Sequence, residues 1–122
     1  MDRIEHAGDR LMVKDDRIKK IIEEMVEKIV AAYEPLKIIL FGSYAYGEPD
    51  EDSDIDLLII KDTDDRPIDR RVKVRTIVSD PKQFIPFEPI VLTSEELEKR
   101  LRIGDQFIEE ILTMGEVLYE ER

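Results

Sequence analysis

Apolar residues recur at steps of three and four from Ile18 through Ile21, Ile22 and Met25 to Ile29, with Lys19, Lys20, Glu23, Glu24, Glu27 and Lys28 between them. That period predicts a helix with one buried stripe. Asp15 and Asp16 open it, it runs to about Tyr33, and Pro35 ends it. The pattern then changes. Lys37-Ile38-Ile39-Leu40-Phe41 predicts a short strand, apolar on both faces and therefore central in a sheet. Asp54 to Ile60 predicts a second strand, apolar on both faces except at Asp54 and Asp56. The segment between them, from Gly42 to Asp52, is loop or a short helical turn.

Asp62 to Pro67 reads as a turn. Ile68 to about Val78 fits strand or helix by local preference. Pro67 suits a first helical turn, and a crossover is needed here, so a helix is the better reading. Pro81 to Pro86 is loop, and Ile90-Val91-Leu92 is a third strand. Ser94, followed by Glu95, Glu96 and Leu97, reads as a serine N-cap with acids in the positive first turn, opening a helix that ends near Gly104. Asp105 caps a last helix with Phe107, Ile108, Ile111 and Leu112 as its buried side and Gly115 as its stop. Val117-Leu118-Tyr119 adds a short edge strand. The sum is an α/β fold, with residues 1–14 a flexible leader and 15–122 one domain.

Composition narrows the function. The chain has 122 residues, 42% apolar and 40% charged, with a formal net charge of −11. Such an excess of acid disfavours a nucleic acid backbone as partner, because binding phosphates needs clustered Lys and Arg. It suits a basic protein partner or a site that collects divalent cations. Without cysteine there are neither disulfides nor thiolate metal sites. The first residues carry no apolar stretch like a signal peptide, and no apolar run is long enough to span a bilayer, so a cytoplasmic protein is expected. The lone histidine, His6, falls in the leader and is not expected to be catalytic.

The candidate chemistry lies between the first two strands. Gly42-Ser43 is followed by ten residues and then by Asp54-Ile55-Asp56. A strand running into Gly-Ser lets the backbone approach a ligand closely, and the serine hydroxyl and neighbouring amides can donate to phosphate oxygens. Asp54 and Asp56, two apart on a strand, face the same way about 7 Å apart. Two carboxylates on one face of an apolar strand repel each other and resist burial, and a cation between them removes both penalties. Mg²⁺ takes oxygen ligands and shares its sites with substrate phosphates. Glu88, just before the third strand, is the best candidate for a third carboxylate, with Asp80 behind it. Gly-Ser alone is usually a turn and Asp-x-Asp alone a solvated edge. Their order and spacing, with the acids set among apolar residues, make the combination specific.

Gly42-Ser43-Tyr44-Ala45 and Ser53-Asp54-Ile55-Asp56-Leu57-Leu58 resemble the signature of the DNA polymerase β-type nucleotidyltransferase superfamily, in particular its minimal (MNT) branch. The resemblance implies a small mixed β-sheet backed by helices. It implies Gly42 and Ser43 at the triphosphate of ATP, and Asp54, Asp56 and Glu88 as catalytic ligands of Mg²⁺. It departs from the family pattern at Glu88, where aspartate is more usual, and at Tyr46, where many relatives have arginine before the glycine. Minimal domains of this kind often act as antitoxins beside a HEPN-family RNase toxin, transferring AMP from ATP to a tyrosine of the toxin. The alternatives are an antitoxin that works by occlusion, with a weak or vestigial site, and a nucleotidyltransferase acting on a small molecule.

Overall fold

The computed structural model describes residues 13–122, so His6 and all of the expected leader except Val13 and Lys14 lie outside the described residues. Helix α1 (Asp16–Tyr33) starts at the Asp15 cap, whose carboxylate accepts from the Arg17 and Ile18 amides. It leads into β1 (Lys37–Phe41), the short helix α2 (Ser43–Tyr46) and β2 (Ile55–Ile60). The crossover helix α3 (Pro67–Val78) follows, then β3 (Phe87–Leu92), α4 (Ser94–Arg102), α5 (Gln106–Met114) and β4 (Glu116–Glu120). The four strands form one mixed sheet in the order β3-β2-β1-β4. β1 pairs antiparallel with both β2 and β4, while β2 and β3 run parallel.

The two central strands alternate between two cores. Ile38, Leu40, Ile55, Leu57 and Ile59 meet Ile22, Met25, Val26 and Ile29 of α1 and Val74 and Val78 of α3. Ile39, Phe41, Leu58 and Ile60 meet Ile108 and Ile111 of α5 on the other face. This explains why both strands are apolar throughout, as strands covered on both sides must be.

Four expectations are corrected in detail. β3 begins at Phe87, so Glu88 lies inside the strand rather than before it, and Pro89 is accommodated because β3 is an edge. β2 begins at Ile55, which leaves Asp54 one residue ahead of it. The cap of α4 is Thr93, not Ser94: Thr93 and Glu96 form a reciprocal capping box, and the Ser94 amide donates to Asp62 Oδ1 at 2.8 Å. In α5 only Ile108 and Ile111 are buried, whereas Phe107 and Leu112 are exposed. A nine-residue helix lying on a sheet presents a single narrow stripe. The Phe107 ring still meets Phe41 edge-on, with centroids 5.7 Å apart.

One buried charge ties the layers together. Arg70 of α3 is 4% exposed. Its Nε donates to the Asp65 carbonyl at 2.8 Å and its Nη1 to the Val91 carbonyl at 3.3 Å. The same guanidinium grips Glu96 with both terminal nitrogens, at 2.7 and 3.3 Å. The crossover helix, the edge strand and the start of α4 are thus joined through one side chain. The Arg70 hydrogen bond holds the Glu96 carboxyl below its usual range. Removing one partner of such a pair leaves buried polar groups unmatched. Arg70→Ala is therefore predicted to cost about 3 kcal/mol of unfolding free energy in urea titration. Arg70→Lys should recover little of it, because an ammonium cannot make the fork.

Candidate functional site

Gly42 leaves β1 at φ 73°, ψ −153°, a conformation essentially confined to glycine. The reason is Asp56. β1 and β2 pair Phe41 with Asp56, so the Gly42 backbone lies directly against the Asp56 carboxylate, and a Cβ there would collide with Asp56 Oδ2. The Gly42 carbonyl accepts from the Ala45 and Tyr46 amides at 3.0 Å each, which winds Ser43–Tyr46 into a single turn. Gly47 closes that turn so tightly that a Cβ would stand 2.8 Å from Ser43 Cα. Asp50 and Ser53 then fix the return to β2, the Asp50 amide donating to Ser53 Oγ at 2.9 Å. Gly42, Ser43, Asp54 and Asp56 are thereby gathered at one end of the two central strands.

Glu88 joins them by register. β2 and β3 pair Asp56 with Glu88, which places the two carboxylates on the same side of adjacent strands. The Asp56 carboxyl is pushed up to about 6, by burial first and then by the negative charges of Asp54 and Glu88. Glu88 does not turn freely into the site, however. Arg75 Nη2 lies 3.2 Å from its Oε1 and Arg71 Nη2 lies 3.6 Å from its Oε2. No group of three or more acids or histidines among the described residues is placed to hold a metal ion by itself. The donors nevertheless suit a hard divalent cation, since all are carboxylate oxygens and Asp56 carries a charge its surroundings penalise. Asp80 is not at this site. Its carboxylate accepts from the Lys82 amide at 2.8 Å within its own turn.

Sequence reading left out Arg71 and Arg75. Their spacing of four on a helix is a visible signal that they share a face, but nothing in the sequence points that face at Glu88. Tyr46 folds back to the loop. Burial pushes its phenol up, a backbone hydrogen bond at Gly42 lowers it, and Glu110 and Asp56 add to the rise. Beside the loop, Ser43, Tyr44, Gly47 and Asp54 line a cleft of about 1180 Å³ whose far wall includes Ile18 and Phe84. Phe84 is 88% exposed. The volume is ample for a nucleotide. No helix among the described residues is long and apolar enough to cross a membrane.

The chain is similar to known proteins over most of its length. The nucleotidyltransferase domain family model matches residues 17–113. Two proteins of Methanocaldococcus jannaschii, both named "putative protein adenylyltransferase", are similar to the chain. One is 38% identical over 104 residues, covering 83% of this chain and 97% of its own length. The other is 34% identical over 108 residues, covering 84% and 72%. A crystal structure from Sulfolobus solfataricus, described as a "putative nucleotidyltransferase", superposes with a TM-score of 0.55 over 81% of this chain and 84% of that one, at 24% identity. That last likeness is one of fold.

The Asp56 shift has a sign that can be tested. Its folded value, about 6, lies above the ordinary carboxylate value, so the folded protein binds this proton more tightly than the unfolded chain does. The stabilising contribution is complete below about 4 and is lost as pH rises to about 6. Asp56→Asn should accordingly stabilise the cation-free protein at pH 8 by about 1 kcal/mol, a value reduced for the carboxyl's solvent access. The gain should vanish at pH 4 in thermal melts recorded with a chelator.

Proposed function

The chain belongs to the nucleotidyltransferase domain family, and within it we propose a Mg²⁺-dependent protein adenylyltransferase. In this reading it is an antitoxin that moves AMP from ATP to a tyrosine of a partner HEPN toxin. The observation that carries the proposal is the stacking of the Gly42 turn on the Asp56 carboxylate, which brings a phosphate loop and an acidic pair to one place. The names of the two M. jannaschii relatives support a protein as acceptor.

Each residue has a role in this reading. Ser43 and the backbone at Gly42 orient the triphosphate, with the missing Cβ allowing the chain to lie against it. Asp54, Asp56 and Glu88 would hold Mg²⁺. When bound, the ion neutralises phosphate charge and favours ionisation of the acceptor hydroxyl. The tyrosyl hydroxyl gives up its proton to water, its oxygen forms a bond to the α-phosphorus, the bond from that phosphorus to the bridging oxygen breaks, and pyrophosphate departs with the bonding electrons. The cleft between Ser43 and Phe84 meets the site at Ser43 and Asp54, while Asp56 and Glu88 do not line it. A net charge of −11 favours a basic partner and speeds its approach.

A second reading is occlusion without catalysis. It is favoured by Tyr46 in the arginine position and by the arginines that already hold Glu88. Labelled ATP and Mg²⁺, with the protein encoded beside this one, separate the two. Transfer of label to a tyrosine of the neighbour, reduced by more than about a hundredfold in Asp56→Ala, is the expected result. Full transfer by that variant would sink the assignment. A stable complex without label from either form would make occlusion the function.

A further inference from the structure

The arginine pair at the edge of the site has a role of its own. We infer that Arg71 and Arg75 are positioning residues that hold Glu88 as a switchable third carboxylate, paired to them without a cation and released toward Asp56 when a divalent ion binds. The inference rests on the metal-site reading above.

Four observations carry it. Arg71 and Arg75 are one helical turn apart on α3, and each takes one oxygen of the same carboxylate, at 3.6 and 3.2 Å. By register Glu88 stands beside Asp56, where two like charges would otherwise face each other with nothing between them. The guanidiniums supply the positive charge that a cation would supply. The pairing is also loose. Side-chain exposures of 43% for Arg71, 46% for Arg75 and 50% for Glu88 leave all three groups in contact with water. Exposed pairs of this kind break and reform readily. Finally, Arg71 Nε is buried and has no hydrogen-bond partner, so holding Glu88 does not satisfy this arginine. A side chain locked for structural reasons would show the opposite, as Arg70 does next to it in sequence.

The consequence is competition. A cation that recruits Glu88 must displace two arginines, so the site binds a bare ion less tightly than its three carboxylates would alone. Phosphate oxygens on the ion offset that cost, which biases the site toward an ion that arrives with a nucleotide.

The test is Mn²⁺ binding to the full chain without nucleotide, followed by electron paramagnetic resonance. Arg71→Gln/Arg75→Gln should bind Mn²⁺ about three- to tenfold more tightly than the unaltered protein. Glu88→Gln should bind more weakly, and adding both arginine substitutions to it should change nothing. Unchanged or weaker binding by the double arginine variant overturns the inference. So does equal tightening in the Glu88→Gln background, which would mean that the arginines act only through net charge. Each single arginine variant should show part of the effect, so a folding defect in the double variant leaves the question decidable. An Asp54→Ala/Asp56→Ala control separates the two levels. Mn²⁺ binding undiminished in that control would overturn the metal site itself, whereas binding lost there but indifferent to the arginines would overturn only the switch.

Discussion

Backbone hydrogen bonds between β1 and β2 run in register from Lys37 and Ile60 to Phe41 and Asp56, and the last pair determines where Gly42 leaves the sheet. A shift of one residue would turn every side chain of β2 to the opposite face, burying Asp56 among the side chains of α1 and α3. The two apolar cores forbid that shift, since each strand fills both of them alternately. The position of the acidic pair is thus enforced by hydrophobic burial far larger than any interaction the acids make themselves. The glycine follows from the same constraint, because a Cβ there would have to push the Asp56 carboxylate aside and hold a strained positive φ.

The parallel pairing of β2 with β3 extends this arrangement by one carboxylate and brings its difficulty with it. Burial and the negative charges of Asp54 and Glu88 raise the cost of charging Asp56, a local conflict with stability of the sort found where a protein is built to bind something. The molecule answers by lending Glu88 two arginines from the crossover helix, and by leaving Asp54 ahead of the strand.

Much of this was legible in the sequence, for identifiable reasons. The stripe on α1, the doubly apolar runs of β1 and β2, and the Asp105 cap with its Gly115 stop are local patterns with local causes, and all four elements lie within a residue of where those patterns put them. The helix over 67–78 required an argument about topology, because Val72 and Ile68 stay exposed and blur its apolar stripe. The true cap of α4 was missed because Thr93 and Ser94 are equally good caps by type, and only the contact with Glu96 decides between them. Phe107 and Leu112 were misjudged since hydrophobicity indicates what can be buried, not how much surface a neighbour offers. The candidate site divides the same way. The Gly-Ser turn and the acidic pair lie on adjoining segments, whereas the arginines on Glu88 depend on how α3 lies along β3.

Arg70 and Arg71 are consecutive residues with opposite attachments, one locked inside the protein and the other at its wet edge. Arg70 fastens α3 to β3 and α4 at once, which opposes sliding of the helix toward or away from the site. Rearrangement around Glu88 is then left to rotations about side-chain bonds, which take place in picoseconds to nanoseconds, rather than to displacement of whole elements, which takes microseconds or longer. The buried arginine thereby sets a clock for its neighbours: the exchange of Glu88 inferred above would run at the pace of side-chain rotation.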